Sequence, residues 1–367
     1  MVSLRSIRAN LIASAPDLQG GVFAMGCVSG GVNVYANTSG KQILGWHLDA
    51  RGEVIPTGCV NAGNYETRPG TTGILDRHGR LVIVGAFVRE QPTSHIVRSC
   101  DYDEDVFMEG GPKSNLVFIG SMEPRLFAAV AESSNAYSIL GGCVWGADEG
   151  FPCEDPVGKH ERVGMQDYLV SVIASMPSGR CQHTAVRGLW DDAIYVGGGD
   201  VDSNTAAASN LIKCSDGEWS VVPNSNTMAY TDAAMVAYGR WIVIVGGVVR
   251  WDEGEDDEGE TIKSDQVVLY DTMTGVFQQL AALETARAGH KIAALNGNLF
   301  VLGDGDPEVV PLPPVGVWTV ATNLWYPTDY RRVVSTLVHS FARTEALSED
   351  CVLHIVSFLA ATDFLFV

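Results

Sequence analysis

ARAGHKIAALNGNLFVLGDG, residues 286–305, is the stretch on which the fold turns. Arg287 and His290 lead into an apolar run, Ile292 to Leu295, and a second apolar run, Leu299 to Leu302, stops at Gly303. Between the two stands Asn296-Gly297. Both central residues of a type I′ turn need φ > 0, so Asn-Gly between short apolar runs is the strongest short-range hairpin signal. The stretch predicts a β-hairpin whose second strand ends on glycine.

That second strand recurs along the sequence. GVFAMGC stops at Gly26, RLVIVGA at Gly85, AYSILGG at Gly141-Gly142 and AIYVGGG at Gly197-Gly198. RWIVIVGG stops at Gly246-Gly247 and NLFVLGDG at Gly303. The marks are spaced 49 to 59 residues apart. Six strand-like units near a fifty-residue period predict propeller blades, because helical repeats run shorter, at about 33–47 residues. Glycine at such a strand end has a mechanism: without Cβ, neighbouring backbones approach closely near a crowded axis.

After the glycines the reading places a third strand carrying Tyr and a polar turn, as in VNVYANTSG (Tyr35) and VVLYDTMTG (Tyr270), with LIKCSDG a weaker form. A fourth strand then brings an aromatic, Trp46, Trp219, Phe277 or Trp325, and Arg180/His183 repeat the Arg287/His290 spacing. In these features the protein resembles the kelch-repeat family. The pattern departs at Gly26-Cys27 and Gly85-Ala86, where a glycine pair belongs, and the third unit has no clear fourth-strand Trp. The resemblance implies an all-β, six-bladed propeller of four-stranded antiparallel blades over residues 1–330, with LRSIRANLIA as a first strand.

Formal charge is −20, from 24 basic and 44 acidic residues. That balance opposes binding to nucleic acid or anionic lipid, where Lys and Arg supply most of the affinity. The longest apolar run, Trp241 to Val249, is bracketed by Arg240 and Arg250. It falls far short of the ~20 residues of a membrane span. Arg5 and Arg8 interrupt the N-terminal apolar character, which argues against a secretory signal. The eight cysteines contain no Cys-x-x-Cys and read as reduced thiols, hence a cytoplasmic or nuclear compartment.

Two segments stand apart from the repeat. Trp251-Asp252-Glu253-Gly254-Glu255-Asp256-Asp257-Glu258-Gly259-Glu260 holds seven carboxylates between 252 and 260, which repel one another. It reads as a solvated loop and as a candidate client-binding loop for basic partners; it lacks EF-hand spacing, so no metal site is expected. From Arg331 the period changes from two to 3.6. Val334, Leu337, Val338 and Phe341 share one helical face, and Val352, Ile355, Val356 and Leu359 share another after Ser348 as N-cap. Residues 331–367 therefore read as a separate, short α-helical C-terminal segment.

Within it, LSEDCVLHIVSFLAATDFLFV (347–367) resembles the opening half of an F-box. Leu347, Val352, Leu353, Ile355, Phe358, Leu359 and Asp363 fall on that motif's positions, while Ser348 replaces its usual proline and the second half is absent. The resemblance implies binding to a Skp-type adaptor of a cullin–RING ubiquitin ligase, with the propeller holding the substrate. A helix that merely covers the propeller side is the alternative.

No catalytic constellation is visible. His183 and His290 recur at matching repeat positions and read as blade structure, and His-Glu-x-x-His, Walker and Gly-x-Ser-x-Gly motifs are missing. No cofactor is expected. The sequence thus points to a protein-interaction platform: a substrate receptor, or truncated decoy, of an SCF-type ligase. A propeller enzyme of the galactose-oxidase-like or hydrolase kind and a scaffold unrelated to ubiquitin remain as alternatives.

Overall fold

A computed structural model of the protein describes residues 22–313, apart from 29–30, 38–41, 50–52, 62–64, 67–69, 77–79, 89–93, 100–112, 123–124, 134, 145–153, 202–209, 226–229, 251–260 and 296. The expected strand LRSIRANLIA, Trp325, the acidic stretch 251–260 and the whole segment 331–367 with its F-box-like positions lie outside the described residues.

The first blade is an antiparallel meander of β1 (Val22–Val28), β2 (Gly31–Asn37), β3 (Gln42–Asp49) and β4 (Val54–Asn61). The second, preceded by the short β5 (Tyr65–Glu66), is β6 (Thr72–Leu75), β7 (Leu81–Val88), β8 (Ser94–Ser99) and β9 (Lys113–Met122). The outer strands β4 and β9 pair in parallel and join these two blades into one nine-stranded sheet.

The third blade follows β10 (Arg125–Leu126). It runs β11 (Ala129–Glu132), β12 (Ala136–Leu140), an inserted hairpin β13 (Cys143–Val144) and β14 (Glu154–Pro156), then β15 (His160–Gly164) and β16 (Val170–Val172). The fourth is β17 (Thr184–Arg187), β18 (Ile194–Gly197), β19 (Ile212–Ser215) and β20 (Glu218–Val221). The fifth repeats the insertion: β21 (Ala234–Tyr238), β22 (Trp241–Val245), the hairpin β23 (Val248–Arg250) and β24 (Thr261–Lys263), then β25 (Val267–Asp271) and β26 (Phe277–Gln279). The last sheet is β27 (Lys291–Leu295), β28 (Asn298–Leu302) and β29 (Glu308–Pro311). The hairpin predicted over 292–302 is present, with Leu295 opposite Asn298.

The protein is therefore all-β in its described part, a propeller of antiparallel sheets. The expectation of six four-stranded blades is corrected to five, because the repeat at 291–311 supplies three strands among the described residues. Its inner strand β27 packs between β21 and β1, and the other inner strands follow in the order β1, β6, β11, β17, β21 around the axis.

Burial explains this arrangement. The second strands β12, β18, β22 and β28 are almost wholly buried, whereas the outermost β16, β20 and β26 are mostly exposed. A strand with a blade against each face has no side for water, so it reads as a continuous apolar run. The core is divided between neighbours: Val243 and Leu269 meet Leu299 and Val301, and Ala293 and Leu302 meet Val32 and Leu48. Each such side group, fully buried, contributes roughly 1.5–3 kcal/mol by transfer.

Several strand assignments shift. Gly26 lies inside the inner strand β1, where a Cβ would come within 2.9 Å of Leu75 Cβ, and does not end a second strand. The first blade's second strand is β2, so Tyr35 sits there and Trp46 on the third strand. Gly85, with φ +82°, interrupts the β7–β8 register and the strand continues to Val88. In the fourth blade the left-handed pair is Gly198-Gly199, not Gly197-Gly198; Gly197 ends β18. Gly141-Gly142, Gly246-Gly247 and Gly303 follow second strands as expected, and Tyr270, Trp219 and Phe277 keep their predicted third and fourth strands. Cys143 is disulfide-bonded, which departs from a fully reduced set, while Cys27, Cys181 and Cys214 are thiols. No helix among the described residues is long and apolar enough to cross a membrane.

Candidate functional site

The site begins with the short leader before each inner strand. Two residues ahead of β6, β11, β17, β21 and β27 stand Gly70, Phe127, Gln182, Asp232 and Gly289, all left-handed, with φ of 86°, 56°, 54°, 53° and 65°. For a non-glycine residue this conformation costs of order 1–3 kcal/mol and persists only where surroundings enforce it. Here a series of backbone hydrogen bonds enforces it. Gly289 N donates to Asp232 O (2.8 Å), Asp232 N to Gln182 O (2.9 Å), Gln182 N to Phe127 O (3.2 Å) and Phe127 N to Gly70 O (2.7 Å). The five leaders are thus linked head to tail around one end of the channel.

Two residues further upstream, a second device holds each leader to its own blade. Arg287 is fully buried, donates to Gly303 O (3.1 Å) and Asp306 O (2.9 Å), and pairs with Glu308 at the head of β29. Arg125 pairs in the same way with Glu161 of β15. Arg180 has no acid paired with it among the described residues and donates to Gly198 O (3.1 Å) and Asn210 O (3.0 Å). Tyr230 takes the Arg place in the fifth blade and donates its hydroxyl to Gln266 Oε1 (2.9 Å).

His183 and His290 follow these leaders. Burial, then the nearby Arg180 and Arg287 respectively, pushes both imidazoles down to about 3, with the Leu140 carbonyl opposing at His183. They are neutral rings wedged against the preceding blade: a Cβ on Gly141 would lie 2.6 Å from His183 Cε1, and one on Gly246 2.7 Å from His290 Cε1. The structural reading of both histidines fits this geometry. Among the described residues no group of three or more His, Cys, Asp or Glu is placed to hold a metal.

Inside the circle of leaders lies a cavity of about 310 Å³. Its apolar wall includes Met25, Ile74, Met235 and Ile292, and its two charged lining residues are Asp232 and Lys291. Burial lowers the Lys291 ammonium below its ordinary value and the Asp232 carboxylate opposes that. The Thr72 hydroxyl is spent on Ala128 O (2.6 Å). By contrast the side groups of Gln182, Thr184 and Lys291 have no hydrogen-bond or ion-pair partner among the described residues. The arrangement offers an ammonium, an amide and a hydroxyl over an apolar floor, which is the chemistry of recognition: a few polar groups fix orientation while apolar walls supply contact.

The same face carries the insertions. Because second strands run antiparallel to inner strands, β12 and β22 end beside the leaders, and hairpins β13–β14 and β23–β24 leave from that side. Arg250 and Thr261, which bracket the acidic stretch 251–260, face each other across β23–β24. Lys263 Nζ holds both carboxylate oxygens of Asp304 at 2.8 Å, and Asp304 accepts from Ala288 N, tying the hairpin base to the next leader.

Sequence reasoning found the Arg and His of the leaders and passed over the residue between them. Superposing Arg180-x-x-His183 on Arg287-x-x-His290, and both on Tyr230-x-x-Ala233, puts Gln182, Gly289 and Asp232 in register, and Thr184 with Lys291 two positions on. That alignment was the available signal.

No protein-family model matches the sequence, and no curated protein matches it. Among solved structures it is similar to one described as "Structure of YjhT", with a TM-score of 0.60 and 12% sequence identity over 80% of this protein and 97% of that one. At so low an identity the likeness speaks for architecture alone, and neither the kelch-repeat nor the F-box resemblance gains from it. Together with the radial sheets described above, it shows that the protein is a β-propeller.

Proposed function

We propose that the protein is a non-catalytic protein-interaction platform that receives its client on the channel-mouth face. The observation that carries this reading is the cavity at the centre of the linked leaders, where Gln182, Thr184 and Lys291 present unengaged polar groups on a rigid frame. A mouth fixed by backbone hydrogen bonds loses little entropy on binding, which favours affinity. Arg250 and Thr261, the described residues that flank the acidic stretch in sequence, lie on this side, and the charge of that stretch favours clients of basic character. The net charge of −20 argues against nucleic acid and anionic membranes as partners.

The finer reading rests on sequence resemblance. Leu347, Val352, Leu353, Ile355, Phe358, Leu359 and Asp363 form half of an F-box-like pattern, so the platform serves as a substrate receptor, or a decoy, of an SCF-type cullin–RING ligase by recruiting a Skp-type adaptor. The thiols of Cys27, Cys181 and Cys214 fit a reducing, cytoplasmic or nuclear setting; the Cys143 disulfide is the observation against it.

Proximity labelling of the full-length protein in cells tests both halves. Gln182→Phe places in the mouth the residue type that position 127 already tolerates at nearly the same φ. It is expected to remove clients and retain the adaptor, whereas Leu353→Ala with Phe358→Ala removes the adaptor and retains clients. An unchanged client set with Gln182→Phe sinks the mouth reading, and absence of any Skp-type adaptor from the wild-type protein sinks the ligase reading.

A further inference from the structure

Each leader arginine is engaged by at least one oxygen of its own blade. Arg287 and Arg125 meet Glu308 and Glu161, and Arg180 meets two carbonyl oxygens. Lys291 has no such partner. Its ammonium sits in the cavity wall with Asp232 in electrostatic range but not in ion-pair contact, and the unengaged Gln182 amide and Thr184 hydroxyl line the same space. Lys291 is half-buried in this wall, and an unpaired cation beside unengaged donors in an apolar-walled cavity is the arrangement that orients an anionic ligand.

We propose that the channel mouth binds a carboxylate group, with Lys291 as its counter-charge and Gln182 and Thr184 as further donors. This rests on the reading of the mouth as the docking site. The anion carries a single charge: one ammonium faces it, and Asp232 repels a dianion such as a phosphate monoester. The alkyl stem of the ligand lies on Met25 and Met235, whose flexible thioethers adapt to varied shapes. A volume of about 310 Å³ accommodates an acidic side group or a small carboxylic acid, not an extended segment. The carboxylate therefore belongs either to a Glu or Asp inserted by a client protein or to a free small acid.

Ligand-observed NMR on the full-length protein decides between these outcomes, using acetyl-Ala-Glu-Ala-amide, its Gln counterpart, propionate and inorganic phosphate as probes. We expect the Glu peptide, propionate or both to bind, the Gln peptide to bind at least about tenfold more weakly, and Lys291→Met to weaken the carboxylates by about tenfold or more while Lys291→Arg retains them. Binding of the peptide alone assigns the carboxylate to a protein client; binding of propionate alone assigns it to a small acid. The urea midpoint of unliganded Lys291→Met, measured beside that of the wild type, separates loss of binding from loss of fold. Equal binding of the Glu and Gln peptides, phosphate outcompeting both carboxylates, undiminished binding by Lys291→Met, or no binding of any probe would overturn the proposal. Carboxylate binding that survives while Gln182→Phe leaves the cellular clients unchanged would keep the carboxylate site and remove the docking reading. Client loss with Gln182→Phe but no carboxylate binding would do the reverse.

Discussion

The amide of Gly247 donates to the carbonyl oxygen of Arg287 at 2.8 Å, and a Cβ on the neighbouring Gly246 would stand 2.5 Å from that same oxygen. The contact recurs as Gly142 N to Arg180 O (2.7 Å) and Gly199 N to Tyr230 O (2.9 Å). Each glycine pair is thus a clasp between consecutive blades: the second glycine donates, and the first must lack a Cβ for the two backbones to come so near.

Gly246→Ala should accordingly cost far more than a glycine substitution made for φ alone. Gly275 is the control, with φ +72° and nothing within 4 Å of its would-be Cβ. Gly275→Ala bears only the left-handed penalty, roughly 1–2 kcal/mol. Gly246→Ala has φ +57° as well and drives a methyl into a backbone oxygen and the His290 ring, so the fifth blade and the last sheet must part. Urea midpoints of the two variants check this, and similar losses would mean the clasp is looser than described.

How much of this was legible beforehand depends on which atoms carry the information. The hairpin at 292–302 and the buried second strands were readable, because apolar runs and glycines record burial and close approach directly in residue type. The first blade misled because Gly26 interrupts an inner strand that is apolar like a second strand, and its true second strand ends in Ala36-Asn37 without a glycine pair. The linked leaders were not readable. Their bonds join backbone amides to backbone carbonyls, which every residue other than proline can supply. Phe127, Gln182 and Asp232 therefore share a conformation without sharing a residue type. Lys291 became notable only once the neighbours that fail to pair with it were in place.

The Arg287–Glu308 pair is buried at both ends, with Glu308 also accepting from Glu284 N (2.7 Å) and Thr285 N (3.1 Å). Arg287→Met strands a buried carboxylate and leaves the carbonyls of Gly303 and Asp306 without their donor. Removing one partner of such a pair costs about 3–5 kcal/mol. Arg287→Met with Glu308→Gln should recover part of that loss, because the stranded charge is gone. A double variant no more stable than Arg287→Met alone in chemical denaturation would show that the ion pair matters less than the carbonyl contacts.

The Cys143 disulfide gives a prediction independent of stability. Alkylation of the denatured protein without reductant should leave Cys143 unmodified and label Cys27, Cys181 and Cys214; after reduction Cys143 is labelled as well. Peptide mass spectrometry on protein taken from its native cell reads this directly. Labelling of Cys143 without reductant would restore the fully reduced set and strengthen a cytoplasmic or nuclear assignment.

The buried histidines make the propeller acid-sensitive above the range of its carboxylates. Burial holds His183 and His290 down to about 3 and His160 to about 4 in the folded protein, against 6.5 when unfolded. As pH falls below 6.5, the unfolded state takes up protons that the folded state refuses, so folding stability declines through the window from about 6.5 toward 3. The stability is fully present above the unfolded value. Between pH 7 and pH 5 each such histidine accounts for a loss on the order of 2 kcal/mol, which is the linkage integral for a group that does not titrate when folded. Carboxylates contribute little there: Asp304, held low chiefly by Lys263 and the Ala288 amide against its burial, releases its stabilisation only nearer pH ~4. His183→Asn with His290→Asn removes two of the three groups and should reduce the fall in urea midpoint between pH 7 and pH 5 by more than half, whatever the variant's stability at pH 7. An equal fall in wild type and double variant would mean that these rings take up protons without unfolding, and that the clasps at Gly141 and Gly246 open to water.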